Sequence, residues 1–328
     1  MADVSEQTYE STFSVGDHAE LTLRNVRGGI EISGWERPEV SVVAVKKMGT
    51  EWGARESFDD TVIEMEHDGP RVRVRTHRSG GGGMLSWMGI GRTPPQVFYT
   101  IKVPATSAVS VRTVNGPLGI SSVIGALYLR TVEGDIVIKR VSGQIITSSV
   151  DATIHGSEIG GTVATKTISG KVDLSQSQLT SFWAKSVSGD VRLETVIDPN
   201  GTYESSSVDG SFHLLVPPDS RATAEMTSVS GRASCDLICK VTEQRRGHWQ
   251  ALVNGGGAAI SLKTVSGDLT ISASSSLPGA AASAPQPTSA PAPANRDWPE
   301  MDILKSVERG EMTVEAAIAR LAELDKGS

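Results

Sequence analysis

Aromatic residues are scarce: Phe, Trp and Tyr together make up 5% of the 328 residues. A thick two-layer core draws on such side chains, so their scarcity, with 34 glycines, favours thin, repetitive β architecture. Cysteine occurs only twice, at Cys235 and Cys239. Four residues along an extended strand separate them by roughly 13 Å. A disulfide tolerates a Cα separation of about 7 Å, so a bridge would need a bend there. Without histidines at ligand spacing the two thiols do not make a zinc site, and the expectation is two small buried hydrophobes. No segment approaches the ~18 apolar residues of a membrane-crossing helix. The net charge is −7, and the short run Glu243-Gln244-Arg245-Arg246 is no basic block, which argues against nucleic acid as a partner. The opening Met1-Ala2-Asp3-Val4-Ser5-Glu6 has neither a basic n-region nor an apolar h-region, so the expected location is the cytoplasm, with peripheral membrane contact left open.

What is abundant is one turn. Thr113-Val114-Asn115-Gly116, Thr131-Val132-Glu133-Gly134-Asp135, Thr167-Ile168-Ser169-Gly170 and Ser186-Val187-Ser188-Gly189-Asp190 are copies of it. Ser207-Val208-Asp209-Gly210, Ser228-Val229-Ser230-Gly231 and Thr264-Val265-Ser266-Gly267-Asp268 continue the series, and Asn25-Val26-Arg27-Gly28 is a divergent early copy. Gly116, Gly125, Gly134, Gly143, Gly161 and Gly170 share one nine-residue grid, with Ala152 filling the open place. The period predicts coils of about 18–21 residues with a turn at each half, stacked at ~4.8 Å. Alternation assigns Val132, Ile168 and Val187, two before the glycine, to the inward face, together with Ile136, Val172 and Val191 two after it. Glycine makes the bend, and Ser and Asp cap it. Eight or nine coils are expected between residues 107 and 272.

The predicted architecture is all-β: a right-handed single-stranded β-helix over residues 8–272, plus a small C-terminal α-hairpin. Residues 8–105 carry longer strands, among them Val40–Val45, Val72–Val74 and Gln96–Pro104, expected to begin the stack and cover its open end. Residues 106–272 hold the regular repeats. Residues 273–297, rich in Pro, Ala and Ser, read as a disordered linker. Residues 298–326 read as two short helices divided by Gly310, with Thr313 capping the second. Their apolar positions are Ile303, Leu304 and Val307, then Val314, Ala317, Ile318, Leu321 and Leu324.

The stretch from Val103-Pro104-Ala105 through Thr113-Val114-Asn115-Gly116 and the Val-Ser-Gly-Asp copies resembles the bacterial putative-adhesin domain of unknown function. Asn25-Val26-Arg27-Gly28-Gly29-Ile30-Glu31-Ile32 is similar to that family's opening. The resemblance spans roughly residues 10–272 and implies the right-handed β-helix. The tail from Met301 through Ala317 resembles a SHOCT-like helical hairpin, which some relatives carry at the other end. The family supplies no catalytic residues to transfer.

The residues offer little chemistry. Asp135, Asp190 and Asp268 share the place after the turn glycine, but Pro117, Lys171, Ser211 and Arg232 interrupt the row, so turn capping explains it better than sugar or calcium binding. His18, His67, His77, His155, His213 and His248 form no ligand pair, and no G-x-S-x-G elbow occurs. The expectation is a protein that is not an enzyme and has no catalytic, metal or cofactor-binding residue. Two features depart from the repeat. One is the glycine-flanked apolar loop with Met84, Leu85, Trp87, Met88 and Ile90, a candidate contact for a partner or membrane. The other is the helical tail, too small to bury its own stripe and therefore expected to self-associate or bind a protein. The expected function is an intracellular, non-enzymatic scaffold or protein-interaction module, with a place in envelope-stress signalling implied by the resemblance. The alternatives are a surface adhesin binding carbohydrate or envelope, and, further off, a polysaccharide-active β-helix enzyme.

Overall fold

A computed structural model of the chain describes residues 6–50, 54–79 and 94–277. Among these residues the only helix is Ala54–Asp60; every other regular element is a β-strand. The strands pair parallel from coil to coil in a solenoid-like stack. The turn residues form one continuous row of bridges: Arg27, Asn115, Glu133, Asp151, Ser169, Ser188, Asp209, Ser266. The same row sets the period, 18 residues from Asn115 to Glu133 and again to Asp151 and Ser169, as the glycine grid predicts. The second turn of each coil falls at the half-step glycines, where Gly125 pairs with Gly143 and Gly143 with Gly161. Beside it Ser122, Arg140, Glu158 and Gln176 each adopt a left-handed backbone, φ 49 to 58°. The long strands Ile136–Ser148, Ile154–Lys166 and Val172–Lys185 thus run around a corner without losing their ladder.

The core is built from the inward rows on either side of the first turn. Leu118, Ile136, Ile154, Val172, Val191, Phe212 and Leu269 stack as one row, all 3% exposed or less. The valines of the motif do not join them. Val114, Val132, Ile168, Val187, Val208 and Val265 are 43–51% exposed, and Val229 reaches 77%. The motif residue that points inward is the Thr or Ser before it: Thr113, Thr131, Thr167, Ser186, Ser228 and Thr264 are buried. Several of these hydroxyls close their own turn from inside, whereas those of Thr113 and Ser186 make no hydrogen bond. Thr131 Oγ1 donates to the Glu133 carbonyl at 3.0 Å and Thr264 Oγ1 to the Ser266 carbonyl at 3.1 Å. Neighbouring coils are linked by Ser149 Oγ to Thr167 Oγ1 and Ser207 Oγ to Thr264 Oγ1, both 3.0 Å. The inward assignment of the motif valine is therefore corrected: it lines the outside of the turn. Replacing Val187 by Ser is expected to change unfolding free energy by less than about 0.5 kcal/mol in urea titration, the range of exposed positions, where a core valine would cost several times more.

Two of the aspartates after the turn glycine, Asp190 and Asp268, also act differently from a local cap. Asp190 Oδ1 accepts from the Ser211 N–H at 2.9 Å, and Asp268 Oδ1 from the Arg232 N–H at 2.7 Å. Both partners lie on the adjacent coil, so these carboxylates tie coils together.

The coils do not stack in chain order at either end. His18–Arg24 and Ile30–Trp35 form a coil that pairs on one side with Thr106–Arg112 and Leu118–Ser121. On its other side lie Arg71–Arg78 and Gln96–Pro104, which come later in sequence. At the far end Ala258–Ser266 and Leu269–Ala273 insert between the Thr202–Val216 coil and the coil of Ala222–Ser230 with Ala233–Cys235. The last-made coil is thus clasped by two earlier ones. Antiparallel strands then cover both exposed edges, Thr61–Asp68 and Glu39–Lys47 at one end and His248–Val253 at the other. Such covering puts antiparallel strands over the edges of the parallel coils, so that another coil cannot simply continue the stack there.

A carboxylate fastens the final coil. Glu194, 8% exposed, accepts from Ser274 Oγ at 2.5 Å, from Ser276 Oγ and from the Gln176 N–H at 3.4 Å. Burial pushes its pKa up, but the two serine hydroxyls, the backbone N–H and the nearby Arg192 charge together outweigh it and hold the carboxyl below its ordinary value.

The two cysteines lie on either side of a bend at residues 236–238, between strands Ala233–Cys235 and Cys239–Arg245. Both thiols are free and half-buried rather than fully buried. Burial and the adjoining Cys235 push the Cys239 thiol up to about 12.

Candidate interaction surface

Because side chains alternate along a strand, one outward residue in every two shares the face that precedes the motif turn. Register places Ser110, Tyr128, Ile146, Ala164 and Trp183 in one row across five adjacent strands. The next outward row, two residues on, is Arg112, Arg130, Ser148, Lys166 and Lys185. Beyond it stands the ridge of exposed turn residues, Val114, Val132, Val150, Ile168 and Val187. A line of cations is thus bordered on both sides by apolar side chains. The aromatic row continues the core's exterior without being swallowed by it; Trp183 is 37% exposed.

No acidic residue stands in either outward row over these five strands. In the flanking coils Thr22 and Glu204 continue the first row, and Arg24 and Ser206 the second. Among the described residues Arg130, Lys166 and Lys185 make no ion pair with a carboxylate. Burial, and the neighbouring Lys185 and Arg130 charges, lower the Lys166 pKa. The acids of the repeat, Glu133, Asp135, Asp151 and Asp190, lie past the ridge on the other side of the turn. In a chain of net charge −7, this face is a local concentration of positive charge.

Elsewhere the described residues offer less. A shallow hollow of about 250 Å³ is lined by Glu66, His67, Asp68, Arg71 and Arg73, whose charges largely answer one another; Arg73 lies 4.0 Å from Glu66, and His67 stacks on Phe13. Lys46, 3% exposed, donates to the carbonyls of Phe58 and Thr61 at 2.9 Å and sits over the Phe58 ring, a structural use that fixes the helix Ala54–Asp60. Among the described residues no group of three His, Cys, Asp or Glu side chains is placed to hold a metal ion, and no helix is long and apolar enough to cross a membrane. Of the candidate contacts read from sequence, the loop residues Met84, Leu85, Trp87, Met88 and Ile90 and the tail residues Ile303, Leu304, Val307, Val314, Ile318, Leu321 and Leu324 lie outside the described residues. The basic–apolar face was missed in the sequence because its members are scattered at intervals of a whole coil. Repeating the residue three after each half-step glycine, Tyr128, Ile146 and Ala164, would have found it.

The family is decided by a profile match. The Toastrack DUF4097 family matches residues 45–272, well over half of the chain. The chain belongs to this family. The match begins inside the N-terminal strands and ends with the last strand of the Toastrack stack, Leu269–Ala273. No curated protein matches the chain. Among solved structures, a "putative adhesin" from Bacteroides fragilis aligns over 81% of this chain and 97% of its own, with 10% identity and a TM-score of 0.42. A "putative adhesin" from Parabacteroides distasonis covers 82% and 97%, with 12% identity and a TM-score of 0.33. A "putative lipid binding protein" from the same organism covers 81% and 96%, with 11% identity and a TM-score of 0.31.

Proposed function

We propose that this Toastrack chain is a non-enzymatic, intracellular scaffold: a rigid coil stack, right-handed as parallel crossovers require, presenting one binding face, with the SHOCT-like hairpin of residues 298–326 recruiting a partner or a second copy. The observation that carries the reading is the acid-free face of Tyr128, Trp183, Arg130, Lys166 and Lys185, built on five hydrogen-bonded strands. Its charges are all of one sign, so it lacks the paired acid and base that chemistry on a substrate needs and has what recognition needs. Burial and the adjoining Cys235 hold the Cys239 thiol protonated, which makes it a poor nucleophile and fits a structural rather than a catalytic use. The role in envelope-stress signalling belongs to the same reading.

The test is particle mass by light scattering and partner capture, with the full chain and with residues 296–328 removed. Loss of a dimer or of a captured partner on removal is the expected result. An unchanged monomer that captures the same proteins would overturn the role of the tail. Fractionation of cells separates this reading from the adhesin: surface exposure favours adhesion, and recovery in the cytosol favours the scaffold.

A further inference from the structure

The order of side chains across the face narrows what it can bind. A soluble polyanion, such as an acidic polysaccharide or a nucleic acid strand, would satisfy the cations but leave the flanking aliphatic ridge facing water. An uncharged apolar partner would leave Arg130, Lys166 and Lys185 desolvated without counter-charge, at a cost. The occupant has to be anionic and apolar at once, over an area several strands wide. Five strands at ~4.8 Å give a face about 20 Å across, wider than one small molecule. Tyr and Trp are the side chains suited to a boundary that is wet on one side and apolar on the other. The acids Glu133, Asp135, Asp151 and Asp190, displaced past the ridge, fix which way the face must turn.

We propose that this face docks on the surface of an anionic phospholipid bilayer, with Arg130, Lys166 and Lys185 on headgroup phosphates and Tyr128, Trp183 and the exposed valine ridge set into the interfacial layer. The inference deepens the scaffold reading and rests on it only in treating the face as a binding surface. Docking is peripheral: a row of cations next to shallow apolar side chains gives reversible, salt-sensitive attachment.

The experiment is co-sedimentation of the full chain with phosphatidylcholine vesicles, with and without phosphatidylglycerol. Partition is expected to rise at least about tenfold with the anionic lipid and to fall as sodium chloride is added. Each lysine near a charged surface is worth about fivefold in partition, so K166Q/K185Q should lower it about 25-fold. Trp183→Ala should lower partition several-fold while leaving its salt dependence unaltered. Both variants change exposed side chains, and an unchanged thermal midpoint will show that the stack is intact. Equal sedimentation with phosphatidylcholine alone, no sedimentation, or a double variant that binds like the parent would overturn the proposal. So would capture of an acidic soluble protein through the same lysines without vesicle binding. Self-association of the tail is read by mass in the absence of lipid, so failure here and failure of the scaffold's tail are separate results.

Discussion

Gly189→Val is expected to unfold the stack or lower its stability by about 4 kcal/mol, the sum of overpacking and a backbone that L-residues avoid. Gly189 holds φ +142°, and a Cβ there would overlap the carbonyl oxygen of Gly170 on the adjacent coil. The obstruction is backbone, so no side chain can step aside. The same contact recurs up the ladder, Gly134 against Gly116 and Gly210 against Gly189, because each turn sits directly on the one before. Relief would require the coils of Gly170 and Gly189 to separate and lose the Ser188 N–H to Ile168 carbonyl bond, 2.8 Å long. Gly69→Ala is the control: φ there is also positive, at +57°, but open space surrounds the missing Cβ, so only about 1 kcal/mol should be lost. Urea unfolding of both variants reads the difference, and similar midpoints would show that the coils yield more readily than their geometry implies.

That glycine explains what could be read from the sequence. The period, the two turns per coil and the inward Ile136, Val172 and Val191 follow from spacing alone. The motif valine went to the wrong side because alternation was counted straight through the turn. Thr131 and Ile136 are both buried yet five residues apart, an odd interval that a plain strand forbids. Gly134, at φ +112°, is where the parity changes. The hydroxyl was the overlooked signal: Thr or Ser recurs at the start of the later copies and is buried in most of them, and Thr131, Thr167 and Thr264 close their turns from inside. The sequence held no comparable sign of coil order. Asp209 bridges to Ser266 across 57 residues, and only the long gap before Gly267 hinted that a segment had been looped out.

The face required stacking to exist at all. Ala164 and Trp183 are neighbours although 19 residues separate them, because a register shift between Gly161 and Thr162 absorbs the extra residue. A fixed 18-residue count would have placed Trp183 on the inside, where Phe182 is instead. The cations are equally dispersed, one or none per coil, which is why no basic block appears in the sequence. The loop and tail residues were legible as departures from the repeat, a signal of local composition that needs no register.

Replacing Glu194 by Ala is expected to cost about 3 kcal/mol, because it strips hydrogen bonds to a charged acceptor and leaves the hydroxyls of Ser274 and Ser276 without it. The effect should be directional. Glu194 belongs to the strand Val191–Ser206, whereas both serines follow the last strand, so the variant should release residues 274–276 before the coils separate. Hydrogen exchange at the Ser274 amide, which donates to the Val216 carbonyl at 2.8 Å, would rise before exchange at Leu269. The pH dependence has a definite sign. The folded carboxyl is held below its ordinary value, so the unfolded chain binds the proton more readily. The stabilisation is complete above the ordinary carboxylate pKa and is lost as pH falls through the lower folded value. The parent should therefore lose stability relative to Glu194→Gln on acidification, and the two unfolding curves should converge at low pH. Curves that stay parallel down to acid pH would mean that the carboxylate charge plays no part in fastening the final coil.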